Sequence, residues 1–188
     1  MENTEWSKTI MTVYKYLKRM TMAFDRLIES KASNSFYTSS NNYAFNNVFD
    51  ITNSMIELTE RKVTLINLKV LADKVLKTMK TEHAKILIMK YIENQKSEYI
   101  AKAINCTLRT YFRKSVLALE SFYKNLCILG YDENKLKQML KDEAWIMSVY
   151  NDFCQQSSIE DGKTATFFID RIKNNIFLEI KKVTCCAS

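Results

Sequence analysis

A chain of 188 residues with no proline and only two glycines, Gly130 and Gly162, has almost none of the punctuation that a β-rich fold uses at its turns. What remains is rich in Leu, Ile, Lys, Met and Glu, residues that enter helices at little cost. The sequence therefore predicts an all-α protein. Its length is enough to bury a real core, as one domain or two small ones.

Apolar periodicity places the helices. From Glu5 to about Ser30, residues Ile10, Val13, Tyr14, Leu17, Met20, Phe24, Leu27 and Ile28 recur at three and four and describe one amphipathic helix. Ten of the sixteen residues from Ala32 to Asn47 are Ser, Thr or Asn, which predicts a flexible loop with Phe36, Tyr37, Tyr43 and Phe45 pinning it to the helices. From Phe49 to Met79 the helical pattern returns with two stripes. Ile51, Met55, Leu58, Leu65, Ala72, Leu76 and Met79 form one; Ile56, Val63, Ile66 and Val70 form the other. The first suits an antiparallel hairpin with the N-terminal helix. The second suits a neighbouring subunit, or else both make one broad buried face. Lys62 and Lys69 interrupt the heptad seam and argue against a long regular coiled coil.

The stretch Lys80 to Leu126 carries the clearest motif. Thr81 is placed to cap a helix bearing Ile86, Leu87, Met89 and Tyr91, which Asn94-Gln95 interrupts. Ser97 is placed to cap a short second helix with Ile100, Ala101 and Ile104. Asn105 follows where a sharp turn needs a residue tolerant of positive φ. Thr107 then caps a third helix whose Leu108, Tyr111, Ala118, Leu119 and Phe122 face inward, while Arg109, Thr110, Phe112, Arg113 and Lys114 point elsewhere. A short helix, a tight turn and a longer basic helix form the unit that lays its last helix in a DNA major groove.

Ile100-Ala101, then Ile104, Asn105, Thr107, Leu108 and Thr110, then Ala118-Leu119, resemble in order and spacing region 4 of bacterial sigma factors, over about a quarter of the chain. The wider context, a helical N-terminal part followed by this motif and RTYFRKSVLAL, resembles the small phage-encoded transcription regulators of the RinA and ArpU type. The resemblance implies a regulator of transcription that binds double-stranded DNA. Thr107, Arg109, Thr110, Arg113 and Lys114 then correspond to the DNA-facing part of the recognition helix. Three positions depart from the sigma pattern: Asn105 where Gly is usual, Tyr111 for a small branched residue, and Ser115 for a large aliphatic. The last two require a repacked core.

Charge points the same way. Residues 55 to 127 hold 14 Lys and Arg against 7 Asp and Glu, whereas residues 1 to 54 hold 6 against 5 and residues 128 to 188 hold 8 against 9. The whole-chain excess of +7 is thus concentrated around the motif, where it attracts phosphate through counterion release. Arg109 and Arg113 are the expected contacts to base edges or phosphates. Lys96, Lys102, Lys114 and Lys124 are expected on the backbone, and Phe112 either on a thymine methyl or packed on a neighbouring helix. The expected division is an N-terminal helical region at 1–79 with a possible role in oligomerisation, the DNA-binding unit at 80–130, and C-terminal helices and tail at 131–188. Since one such unit rarely grips strongly alone, a homodimer, or recruitment to RNA polymerase, would supply the missing affinity.

Beyond the motif, Gly130 ends the third helix and Asp132 starts another carrying Leu136, Met139, Leu140, Ile146, Met147, Tyr150 and Phe153. QQSSIEDGK, from Gln155, reads as a linker. The segment after it fits a helix through Phe168, Ile172, Ile176 and Ile180 better than a hairpin around Asn174-Asn175.

Catalytic chemistry leaves no comparable signature. The sequence has no glycine-rich phosphate loop, and its lone histidine, His83, reads as a first-turn surface residue. The pairs Glu57 with Glu60 and Asp132 with Glu133 read as helix-surface or helix-start charges. The chain is expected to be a non-enzyme without metal or cofactor. Cys106, Cys127, Cys154, Cys185 and Cys186 are odd in number and form no C-x-x-C pair, which suits reduced thiols in the cytoplasm. No apolar run approaches the length of a membrane span. Two other classes share these features. One is a helical protein-interaction module of the anti-sigma or phage-inhibitor type. The other is a small terminase-like DNA-packaging component.

Overall fold

The structure, a computed structural model, describes residues 4–37 and 44–156, without the side chains of 34–37, 44–47 and 156. These residues are all-helical. The elements are α1 (Glu5–Tyr37), α2 (Ala44–Thr78), α3 (Thr81–Leu87) continued by one π-helical turn (Ile88–Ile92), α4 (Ser97–Ala103), α5 (Leu108–Ile128), α6 (Glu133–Leu140) and α7 (Ala144–Gln156).

Two helices run further into the polar stretch than expected. α1 continues to Tyr37 and α2 begins at Ala44, so only residues 38–43 of the anticipated loop lie outside the described residues. With neither Gly nor Pro between Ala32 and Asn47, nothing in the backbone chemistry stops the helices. The pinning role expected of Phe36, Tyr37, Tyr43 and Phe45 and the C-terminal segment after Gln156 fall outside the described residues and side chains.

By contacts the described residues group into two units, 4–15 with 68–156 and 16–37 with 44–67. In the second, α1 and α2 lie side by side: the Arg61 guanidinium sits 4.9 Å from the centre of the Phe24 ring, and Lys62 is ion-paired to Asp25. Leu17, Met20, Phe24, Leu27, Leu58 and Leu65 are among its buried apolar residues.

The first unit holds the motif. α3 and α4 both pack on α5, and α6 packs on α7. The start of α1 is built into this core. Trp6 stacks on Tyr150 at 4.1 Å, and the Ser7 hydroxyl donates to the Leu119 carbonyl at 2.8 Å. Tyr14 donates to Asp73 at the end of α2 at 2.5 Å; burial first, then this bond and the carboxylate's charge, push the Tyr14 phenol up to about 12. α6 is capped by Asp132, whose carboxylate accepts from the Lys135 N–H at 2.8 Å as the sequence predicts. Glu133 accepts from the Tyr150 hydroxyl at 2.8 Å and pairs with Lys137, so its role is structural.

Candidate nucleic-acid interface

The turn between α4 and α5 is closed by backbone geometry. Asn105 adopts φ +51°, its N–H bonds the Lys102 carbonyl at 3.1 Å, and the Cys106 N–H reaches back to Ala101 at 2.9 Å. These two bonds form a Schellman motif with a left-handed residue at its apex. The same motif ends α5, where Gly130 at φ +81° bonds Cys127 and Tyr131 bonds Leu126, each at 2.9 Å. Asn94, at φ +54°, breaks the chain before α4, and the Gln95 N–H bonds the Met89 carbonyl at 2.8 Å. Both asparagines thus sit where the sequence put a turn.

Helix starts divide differently. Thr107 caps α5 as expected, its hydroxyl accepting from the Thr110 N–H at 3.2 Å and lying 2.9 Å from the Thr110 hydroxyl. Thr81 and Ser97, expected as caps, are instead the first helical residues. Lys80 and Lys96 take the cap positions without a side-chain bond, because a lysine side chain has no acceptor to offer.

α5 presents two faces. Tyr111, Ser115, Ala118, Leu119, Phe122 and Leu126 are buried. Arg109, Phe112, Arg113, Val116 and Leu117 are exposed, and so is Leu108, which the sequence reading turned inward. Leu108 belongs to the i, i+4, i+8 row of Phe112 and Val116, and that row follows the solvent side of the helix. The outer face therefore reads as two adjacent rows: Leu108, Phe112 and Val116 in one, Arg109, Arg113 and Leu117 in the other. Val116 and Leu117 were not anticipated on it. Their signal was present in the four-residue spacing from Phe112 and Arg113.

The predicted contacts do not stand equal. Arg109, Arg113, Lys96, Lys102, Thr107 and Phe112 are exposed, while Thr110 is half-buried. Lys124 is also exposed. Lys114 is ion-paired to Glu82 of α3. That hydrogen bond holds the Glu82 carboxyl below its ordinary range and raises the Lys114 ammonium above its own. Tyr111 is fully buried, its ring 5.2 Å from that of Phe112, and Ser115 is buried and accepts from Lys90 at 3.2 Å. Lys90 thus reaches into the space beside Ser115. Burial and the charge of Lys8 hold its ammonium below the usual lysine range.

His83 lies in the first turn of α3 but is only half-exposed, with Nδ1 buried and without a hydrogen-bond partner, so it is not the surface residue expected. Among the described residues no three His, Cys, Asp or Glu side chains are grouped to hold a metal. No helix among them is long and apolar enough to cross a membrane.

No family model, curated protein or solved structure matches the chain. Its function has to be argued from this geometry and charge.

Proposed function

We propose that the chain is a transcription regulator that binds double-stranded DNA, with α4 and α5 acting as a helix-turn-helix and the start of α5 entering the major groove. The observation that carries this reading is the pair Arg109 and Arg113, both exposed and one helical turn apart on the helix that follows the Asn105 turn. Two guanidiniums so placed suit guanine edges or successive phosphates. Lys96 and Lys102 supply further positive charge from the preceding turn and α4, and the exposed Phe112 ring offers apolar contact to a thymine methyl. The sigma-like spacing adds RNA polymerase as a partner in regulation and implies a cytoplasmic setting. The reading assigns no catalysis to the chain.

The test is fluorescence-anisotropy binding to duplex fragments of the encoding genome across a salt series, with an Arg109→Ala, Arg113→Ala double variant beside the wild type. Salt-sensitive binding that selects fragments and is lost in the variant is the expected result. A folded wild type that binds nothing at low salt rejects the reading.

A second reading draws on the apolar row. Leu108 is 41% exposed, Phe112 55% and Val116 52%, more apolar surface than backbone phosphates can use. That row suits a helix-in-groove protein contact of the anti-sigma kind. Val116→Asp separates the two: it would abolish capture of a protein partner, while DNA binding that depends on Arg109 and Arg113 would survive in weakened form.

A further inference from the structure

The outward side of α5 is only half basic. Arg109 and Arg113 share it with Phe112, Val116 and Leu117, each more than half exposed. Phe112 follows Arg109 by three residues, Val116 follows Arg113 by three and Leu117 follows it by four, and side chains at these spacings are neighbours on a helix surface. Backbone phosphates gain nothing from apolar contact. Among the base edges of the major groove, the apolar group on offer is the C5 methyl of thymine.

The residue types missing from this stretch are as specific as those present. Bidentate contact to adenine calls for Asn or Gln, and acceptance from the cytosine amino group calls for Asp or Glu. From Leu108 to Leu117 the sequence has none of the four. The hydroxyl of Thr110 lies on that of Thr107, Lys114 is tied to Glu82, and Ser115 is buried against Lys90. An A·T pair is then recognised here from its thymine side, and a G·C pair from its guanine, whose N7 and O6 suit an arginine fork.

Glu120, four residues after Val116, sets the limit of the stretch, since a carboxylate on this side repels phosphate. From Arg109 to Leu117 the helix rises about 12 Å at roughly 1.5 Å per residue. A helix lying in the groove advances along the duplex by no more than its own length, so this surface covers at most about four base pairs.

We infer that α5 reads guanine through Arg109 and Arg113 and thymine through C5 methyls packed on Phe112, Val116 and Leu117, so that its target is a short core defined by guanines and thymines and not by adenine edges. This rests on the DNA-binding reading and adds to it the chemistry of the sequence recognised.

The experiment uses the full chain and a random-sequence duplex library. The retained duplexes are sequenced, and the most enriched one is resynthesised with deoxyuridine for thymidine, or with deaza analogues of guanine or adenine that lack N7. Uracil removes the methyl and keeps the base pair. It is expected to weaken binding by about fourfold for each methyl in contact, the scale of one buried carbon. Deazaguanine is expected to cost about tenfold, and deazaadenine less than about twofold. In a Phe112→Ala, Val116→Ala variant with an unchanged circular dichroism spectrum, titrated at salt low enough for it to bind, the uracil penalty should fall towards one while the deazaguanine penalty stays. A change in duplex stiffness would leave the uracil penalty the same in both proteins. Equal affinity for thymine and uracil duplexes overturns the inference, as does a uracil penalty that the variant keeps in full. Either result leaves DNA binding standing and assigns the apolar side chains to a protein partner. Retention of duplexes without sequence preference also overturns it, because no base is then read. A folded wild type that retains no duplex at low salt overturns it together with the DNA-binding reading.

Discussion

Lys114 of α5 is tied to Glu82 of α3, thirty-two residues earlier in the chain. The pair joins the first helix of the motif to its last and occupies one of the cations proposed to face DNA. On the proposed DNA-binding reading, the two arginines on the outer row of α5 would carry the binding and Lys114 would contribute little. Arg109→Ala or Arg113→Ala is expected to weaken DNA binding by about tenfold or more, the scale of a lost base contact. Lys114→Ala is expected to cost less than about threefold at the same salt, and Glu82→Gln, which frees Lys114, to steepen the salt slope by about one. Anisotropy titrations at several salt concentrations measure all four. An effect of Lys114→Ala as large as that of Arg109→Ala would show that the ion pair opens on DNA.

The Asn105 turn makes a prediction about stability. A left-handed residue with a Cβ is strained unless it is Asn or Asp, and glycine is free of that strain. Asn105→Gly is therefore expected to be neutral or stabilising by up to about 1 kcal/mol, and Asn105→Val to destabilise by about 1–2 kcal/mol. Urea denaturation followed by circular dichroism gives both values. Equal stability of the two variants would mean that the turn does not hold φ +51° in solution.

The sequence made legible whatever depends on local chemistry. Two glycine residues and no proline announced the helices, Asn94 announced a break, Asn105 announced positive φ, and Thr107 and Asp132 announced caps because their side chains accept from the first turn. The errors fell where local preference was outvoted. Thr81 and Ser97 resemble caps, but each helix starts at that residue and leaves a lysine in the cap position. Leu108 is expected inward from its three-residue spacing to Tyr111, yet it shares the exposed four-residue row of Phe112 and Val116. The Lys114–Glu82 pair and the placement of Lys90 beside Ser115 join residues 25 or more apart, and no periodicity announces such contacts. Of the candidate interface, the residue types were readable, but which cations were already engaged was not.

Tyr14 offers a test of how the start of α1 is held. Its hydroxyl donates to Asp73, and Tyr14→Phe removes that bond while keeping the ring, so the variant is expected to lose about 1 kcal/mol near neutral pH. The pH dependence has a definite sign. The folded phenol is pushed up to about 12 from an ordinary value of 10.0, so the folded state retains a proton that the unfolded chain releases between those values. The contribution is complete below pH 10, and the gap between wild type and variant should shrink as pH rises towards 12. Denaturant titrations at pH 7 and at intervals above pH 9.5 follow it. A gap that stays constant through this window would place the phenol in water.

Lys90 is the cation whose surroundings work against it. It has a hydrogen bond to Ser115 at 3.2 Å and the Tyr91 ring 5.3 Å away, both favourable to an ammonium, and against these stand burial and the charge of Lys8. Its pKa is lowered, so the unfavourable effects win: the charged form is worse off in the folded protein than in water. Replacing it by methionine keeps an unbranched stem of similar length and removes the charge. Lys90→Met should therefore stabilise the protein at neutral pH, by on the order of 1 kcal/mol. The linkage runs opposite to that of Tyr14. Between the lowered folded value and the ordinary 10.5 the unfolded chain holds more protons, so this group makes the wild type more stable as pH rises, and Lys90→Met lacks that gain. The advantage of the variant should be largest below the window and diminish through it, as read from the difference in unfolding midpoint at matched pH. Should Lys90→Met instead destabilise at neutral pH, the ammonium's bond to Ser115 would outweigh its burial, and Lys90 would be part of what fixes α5 against α3.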